Sequence, residues 1–101
     1  AVLPDLATPV WNAAEAMREA TEALLAQDMT DRFAGAVPYL RAFARVLSGH
    51  LHLASAVADP GRARLARVAI LRLLPETAAL LEQVRDGAAG LYALTDADLA
   101  A

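Results

Sequence analysis

Between Asp31 and Asp59 the chain reads DRFAGAVPYLRAFARVLSGHLHLASAVAD, and the spacing within this stretch constrains the fold more than any other feature. Placed on a helix, Arg41, Arg45, Ser48, His52, Ser55 and Asp59 fall into one polar stripe at alternating steps of four and three. Phe33, Val37, Leu40, Ala44, Leu47, Leu51, Ala54 and Ala58 form one apolar seam, flanked by Tyr39, Phe43, Val46, Leu53 and Val57. A surface helix needs an apolar arc of only about 100°. This segment is apolar around most of its circumference, which predicts a central helix with partners on at least two sides and its seam buried.

The remaining composition points the same way. Ala (26) and Leu (17) are the strongest helix formers, whereas β-branched Val (7) and Ile (1) are few, and no run alternates as a strand would. An all-α fold follows, as one domain of 101 residues. A net charge of −3 argues against nucleic acid as a partner, because phosphate contacts need a basic surface. All nine basic residues are Arg, which a GC-rich genome explains. The absence of Cys excludes disulfides and thiolate metal sites. Arg interrupts every apolar run before it reaches the roughly 18 residues of a membrane span, so no membrane is expected as a partner. There is no secretory leader pattern, and the chain opens on Ala1-Val2-Leu3-Pro4 rather than Met. These features give the expectation of a cytoplasmic piece excised from a longer polypeptide.

In chain order, Ala1 to Ala7 reads as an irregular lead-in. Thr8-Pro9 is a helix-start signal for a first helix over Pro9 to Gln27, with Val10, Ala13, Met17, Ala20 and Leu24 as its core face. Asn12, Glu15, Glu19 and Glu22 face solvent, with Arg18 four residues before Glu22. Thr30 or Asp31 is expected to cap the second helix. There Pro38, with Gly35, allows a kink or marks the true helix start. Asp59-Pro60-Gly61 ends that helix. A third helix over Arg62 to Asp86 is expected to carry a seam of Ala66, Ile70, Leu73, Thr77, Leu80 and Val84, widened by Leu74 and Leu81, despite an interior Pro75. Gly87 is its C-cap. A short apolar segment over Ala88 to Leu94 follows, and Thr95-Asp96-Ala97-Asp98 resembles a capping box opening a last helical turn that frays. The predicted architecture is an up-and-down bundle of three long helices plus a short C-terminal fourth.

No catalytic or metal-binding constellation emerges. His50 and His52 point about 200° apart on a helix and cannot share a metal, and no Glu-x-x-His pair occurs. Ser48-Gly49 lacks a nucleophile's strand–turn–helix context, so Gly49 reads as a site of close helix packing. Arg41, Arg45, Arg62, Arg64 and Arg67 could grip a phosphate or form solvated faces. Trp11, Phe33, Tyr39, Phe43, Leu47 and Tyr92 are the candidate packing or interface anchors.

Three passages, EAMREATEALLAQ (Glu15 to Gln27), AVPYLRAFARVLSGHLHLASA (Ala36 to Ala56) and LLPETAALLEQVRDGAAGLYAL (Leu73 to Leu94), carry a resemblance. Its strongest parts are Val37-Pro38-Tyr39-Leu40-Arg41 with Phe43 beyond, and Leu74-Pro75-Glu76-Thr77. In this order and spacing they resemble the C-terminal helical domain appended to a subfamily of acyl-CoA dehydrogenases. The resemblance implies a bacterial flavoprotein of fatty acid metabolism, an oxidoreductase that removes two hydrogens across the α–β bond of an acyl-CoA and passes a hydride to FAD. Catalytic and flavin-binding residues of that family lie mainly in the preceding dehydrogenase body. No residue of this chain matches them, so no catalytic role carries over and no cofactor is expected on this piece. The implied role is structural: packing on the dehydrogenase body of the same chain, shaping the acyl-CoA entrance, or contributing to a homo-oligomer. Two other readings stand beside it, a free-standing helical module that self-associates through apolar faces, and a bundle whose Arg residues grip a CoA phosphate.

Overall fold

The computed structural model describes residues 3–100 and is helical almost throughout, without strands among those residues. The lead-in expected over Ala1 to Ala7 is largely helix; only its first two residues lie outside the described range. Helix α1 spans Pro4–Ala26 and α2 spans Met29–Ala58. A 3-10 turn, Pro60–Arg62, leads into α3, Ala63–Val68. A π turn, Ala69–Leu73, then connects to α4, Glu76–Asp86. Two short helices, α5 (Ala89–Tyr92) and α6 (Asp96–Ala100), close the chain.

Several boundaries differ from expectation for local reasons. Pro4 already occupies the first helical position that suits proline, so α1 begins there and Pro9 lies inside it. Thr8 therefore does not cap; its hydroxyl donates to the Pro4 carbonyl. Asp28 rather than Thr30 or Asp31 caps α2, its carboxylate accepting from the Asp31 N–H at 2.9 Å. Helix α2 runs unbroken through Pro38, which is buried, so the reading in which the main helix starts at Pro38 does not hold. The Thr95–Asp98 capping box forms as read: the Asp98 carboxylate accepts from the Thr95 N–H, and the Thr95 hydroxyl accepts from the Asp98 N–H.

The third long helix departs most. Leu74 N–H bonds to the Ala69 carbonyl five residues back, under-winding the chain just before Pro75. Pro75 then stands at the N-cap of α4, where its missing N–H costs no ladder bond. The seam passes through the π turn and Pro75 without losing its face. Ala66, Ile70, Leu74, Thr77, Leu81 and Val84 are buried, while Leu73 is exposed and Leu80 only half-buried. Leu74 and Leu81, expected only to widen the seam, are thus its buried members, in place of Leu73 and Leu80.

Two apolar clusters hold the helices together. Leu6, Val10, Ala56, Ala66, Ile70 and Leu74 fill one end, and Met17, Ala20, Ala42, Leu81 and Val84 fill the other. Val10, Met17 and Ala20 are buried on α1 as its periodicity predicts, with Ala13 and Leu24 half-buried. The molecule is a thin slab, 55 × 31 × 15 Å along its principal axes, with a radius of gyration of 16.9 Å. A compact chain of this length would have about 13 Å.

Candidate functional site

The physical key to the site is that α2 buries its small side rather than its large one. Gly35, Pro38, Ala42, Gly49 and Ala56 face inward. Small residues let neighbouring backbones approach closely. A Cβ on Gly35 would stand 3.3 Å from Val84 Cα, and one on Gly49 would meet the Leu74 side chain at 3.4 Å. Helices α1 and α4 pack here, with α3 alongside, so α2 is central but its partners share its small-residue side.

The seam of larger residues, expected to be buried, is instead open. Phe33 (72% exposed), Val37, Leu40 (67%), Leu47 and Leu51 lie on the outer face of α2. Ala36, Ala44, Ala54 and Ala58 are exposed among them. The expectation failed because α2 carries two parallel stripes of heptad spacing, and packing chose the one that permits the closer approach. From Met29 to Ala58 this outer face carries no charged side chain along its centre line. Arg41, Arg45, Ser48, His52 and Ser55 flank it and lie against the third segment, all but Arg41 half-buried.

The open face continues onto α1 through a groove of about 640 Å³, lined by Val10, Trp11, Met17, Phe43, Leu47 and His50 among others. Trp11 is 67% exposed at its edge. On the other flank, Arg41, Arg45 and Ser48 meet Ala69 and Leu73 in a smaller groove of about 380 Å³. Three of the five candidate arginines lie beside carboxylates. Arg45 pairs with Glu76, Arg62 lies 3.7 Å from Asp59, and Arg67 pairs with Asp5 at 2.8 Å. His52 lines an adjoining groove with Ser48, Ser55 and Arg62, whereas His50 lies on the apolar side of α2. Among the described residues, no group of His, Asp and Glu is placed to hold a metal ion, and no helix is long and apolar enough to cross a membrane.

The six anchor candidates separate. Tyr39 is half-buried and its hydroxyl hydrogen-bonds Thr21 Oγ1 at 2.8 Å, tying α2 to α1. Trp11, Phe33, Phe43 and Leu47 together rim the open face. Tyr92 is 78% exposed on α5, beside Phe33 in a small groove with Thr30, Ala34, Ala88 and Leu91.

Sequence reasoning missed two residues that fix the frame around this face. Arg32 closes the C-terminus of α1: its Nε donates to the Leu24 and Gln27 carbonyls at 3.2 and 3.0 Å, and a terminal nitrogen reaches the Leu25 carbonyl. Asp31 accepts from the Ala88 N–H at 2.8 Å, clamping the start of α2 to the end of α4. Neither has a local signature, since each partner is distant in sequence or belongs to the preceding helix. The Arg18 pair legible on α1 is present, to Glu22 at 2.9 Å and also to Glu15 at 3.1 Å. The hydrogen bond and charge of Glu15, then the charge of Glu22, push the Arg18 guanidinium above its ordinary pKa.

The long central helix of the slab thus turns an apolar face without charge along its centre outward. A family model described as "Acetyl-CoA dehydrogenase C-terminal like" matches residues 1–95. The chain belongs to this family. Membership makes it a C-terminal domain of acyl-CoA dehydrogenase-like proteins, and the match runs from before α1 to the end of α5, including the whole open face. No curated protein and no solved structure matches the chain.

Proposed function

We propose that the chain is the accessory C-terminal domain of an FAD-dependent acyl-CoA dehydrogenase, with an assembly role rather than a catalytic one. The parent would oxidise an acyl-CoA thioester at its α–β bond as a cytoplasmic bacterial enzyme of fatty acid metabolism. Its catalytic carboxylate and flavin contacts would lie in a preceding dehydrogenase body. The observation that carries this reading is the open α2 face, continuous with Trp11 and Phe43, on a domain of this family. Contiguous apolar patches beyond a few hundred Å² mark protein or membrane contacts. A face without charge at its centre, rimmed by polar side chains, fits a protein contact best. In the parent, this face would be covered by the dehydrogenase body or at a subunit interface.

The test is the intact mass and absorbance of the polypeptide the gene encodes, followed by truncation. A mass several times 10.6 kDa with flavin absorbance is expected. Removal of residues 1–101 from it should change the assembly state or flavin retention of the remaining body. A colourless polypeptide near 10.6 kDa would overturn the enzyme reading, and a body unaffected by truncation would overturn the assembly role. One observation supports a second reading, a free-standing module that self-associates: Leu65, Val68, Leu71 and Leu73 on α3 and the π turn are also exposed. The same mass measurement separates the two.

A further inference from the structure

The geometry points to a second copy of this domain as what covers α2, packed antiparallel against its own equivalent about an axis between Arg45 and Val46. This rests on the assembly role proposed above and names its partner. The outer seam is a heptad repeat sustained from Phe33 to Ala58, the spacing by which one helix packs along another. Its residue sizes are complementary about the middle, large on one side against small on the other. In the antiparallel register Phe33 faces Ala58 of the second copy, Val37 faces Ala54, Leu40 faces Leu51 and Ala44 faces Leu47. Three of the four rungs set a larger side chain against an alanine, the alternation that lets facing layers interdigitate at even separation. A parallel pair would stack Phe33 on Phe33 and Ala54 on Ala54, too wide at one end and hollow at the other. An unrelated helix of the dehydrogenase body would require no such self-complementarity, whereas an isologous two-fold contact does.

Charge and area agree. The antiparallel register sets Arg32 opposite Asp59 of the second copy and brings Asp28 to the level of Arg62. It puts Arg41 opposite His50 instead of another Arg41, and it opposes the two helix dipoles. Phe33, Val37, Leu40, Phe43, Leu47 and Leu51 are each 45–72% exposed. Together they present roughly 600 Å² of surface, taking about 150–250 Å² for a whole aromatic side chain and less for Leu or Val. The intervening alanines bring this near the roughly 800 Å² per partner of a stable interface.

Cysteine pairing in the gene-encoded polypeptide reads the register directly, because this domain has no cysteine of its own. Val37→Cys and Ala54→Cys lie at exposed positions, so neither perturbs the core. Mixed and oxidised, the two variants should form a disulfide between copies, identified by mass spectrometry of the linked peptides. Each variant alone should not, since antiparallel packing separates Val37 from its own equivalent by roughly 25 Å at about 1.5 Å per residue. Linkage of Val37→Cys to itself would mean a parallel pair and overturn the proposal. No linkage between copies in the mixture would overturn it too, as would linkage of either cysteine to the body. The mass and flavin content of the same samples report separately on the enzyme reading, so the two fail independently.

Discussion

At Gly87 a single backbone conformation decides how the C-terminal end of α4 meets the start of α2. Its φ of 70° and ψ of −158° lie in a region essentially reserved for glycine. A Cβ there would also stand 2.8 Å from Asp31 Oδ1, the oxygen that accepts from the Ala88 N–H. Gly87→Ala is expected to destabilise the domain by about 1–3 kcal/mol from backbone strain. Asp31→Ala, which orphans a backbone donor, should cost about as much. Because both act on one junction, the double variant should lose less than the two losses together. Urea unfolding of the four proteins measures this cycle, and full additivity would mean that the two residues act separately. Arg32 acts as locally, on the end of α1. Arg32→Met keeps the apolar stem but removes the cap, an expected loss of about 1 kcal/mol by the same measurement.

At the scale of the element, the π turn accommodates Pro75. Leu74 N–H reaches back five residues to the Ala69 carbonyl, and Pro75 then opens α4 with Leu74 and Leu81 inward. A one-residue deletion should be tolerated better at Leu71, an exposed position inside the turn, because it converts the wider π turn towards ordinary helix. Deleting Ala78 would rotate Leu81 and Val84 by about 100° away from the core and should abolish the cooperative melt. Circular dichroism melts of the two deletions distinguish these outcomes, and equal damage from both would mean that the π turn has no residue to spare. Helix α2 shows the same competition in another form. Its two heptad stripes are both apolar, and periodicity alone does not rank them. The stripe of Gly35, Ala42, Gly49 and Ala56 packs inward because it lets α4 come within contact of the α2 backbone.

For the whole molecule, the 15 Å thickness is the governing dimension. A slab this thin buries only one side of α2, and apolar side chains on the other side remain outside. Charging that side should hardly affect folding. Val37→Glu with Leu40→Glu is expected to change unfolding free energy by no more than about 1 kcal/mol, as exposed sites do, while reducing the binding of an apolar dye. A large loss of stability would mean that the outer face supports the fold itself.

The sequence by itself determined much of this. Composition dictated an all-α chain, α1 kept its periodic core of Val10, Met17 and Ala20, and Gly87 and the Thr95–Asp98 box punctuate the chain where their chemistry requires. These are local matters of propensity, capping and one-face amphipathicity, settled within a few residues of chain. The resemblance to acyl-CoA dehydrogenase C-terminal domains was legible too, and the family match over residues 1–95 bears it out. What only the tertiary structure decided was the choice between equivalents: which apolar stripe of α2 faces inward, and which of Leu73 or Leu74 and of Leu80 or Leu81 is buried. It also set which distant groups Arg32 and Asp31 would bind. Each depends on how closely two backbones approach across the core, a distance that no spacing along one chain contains.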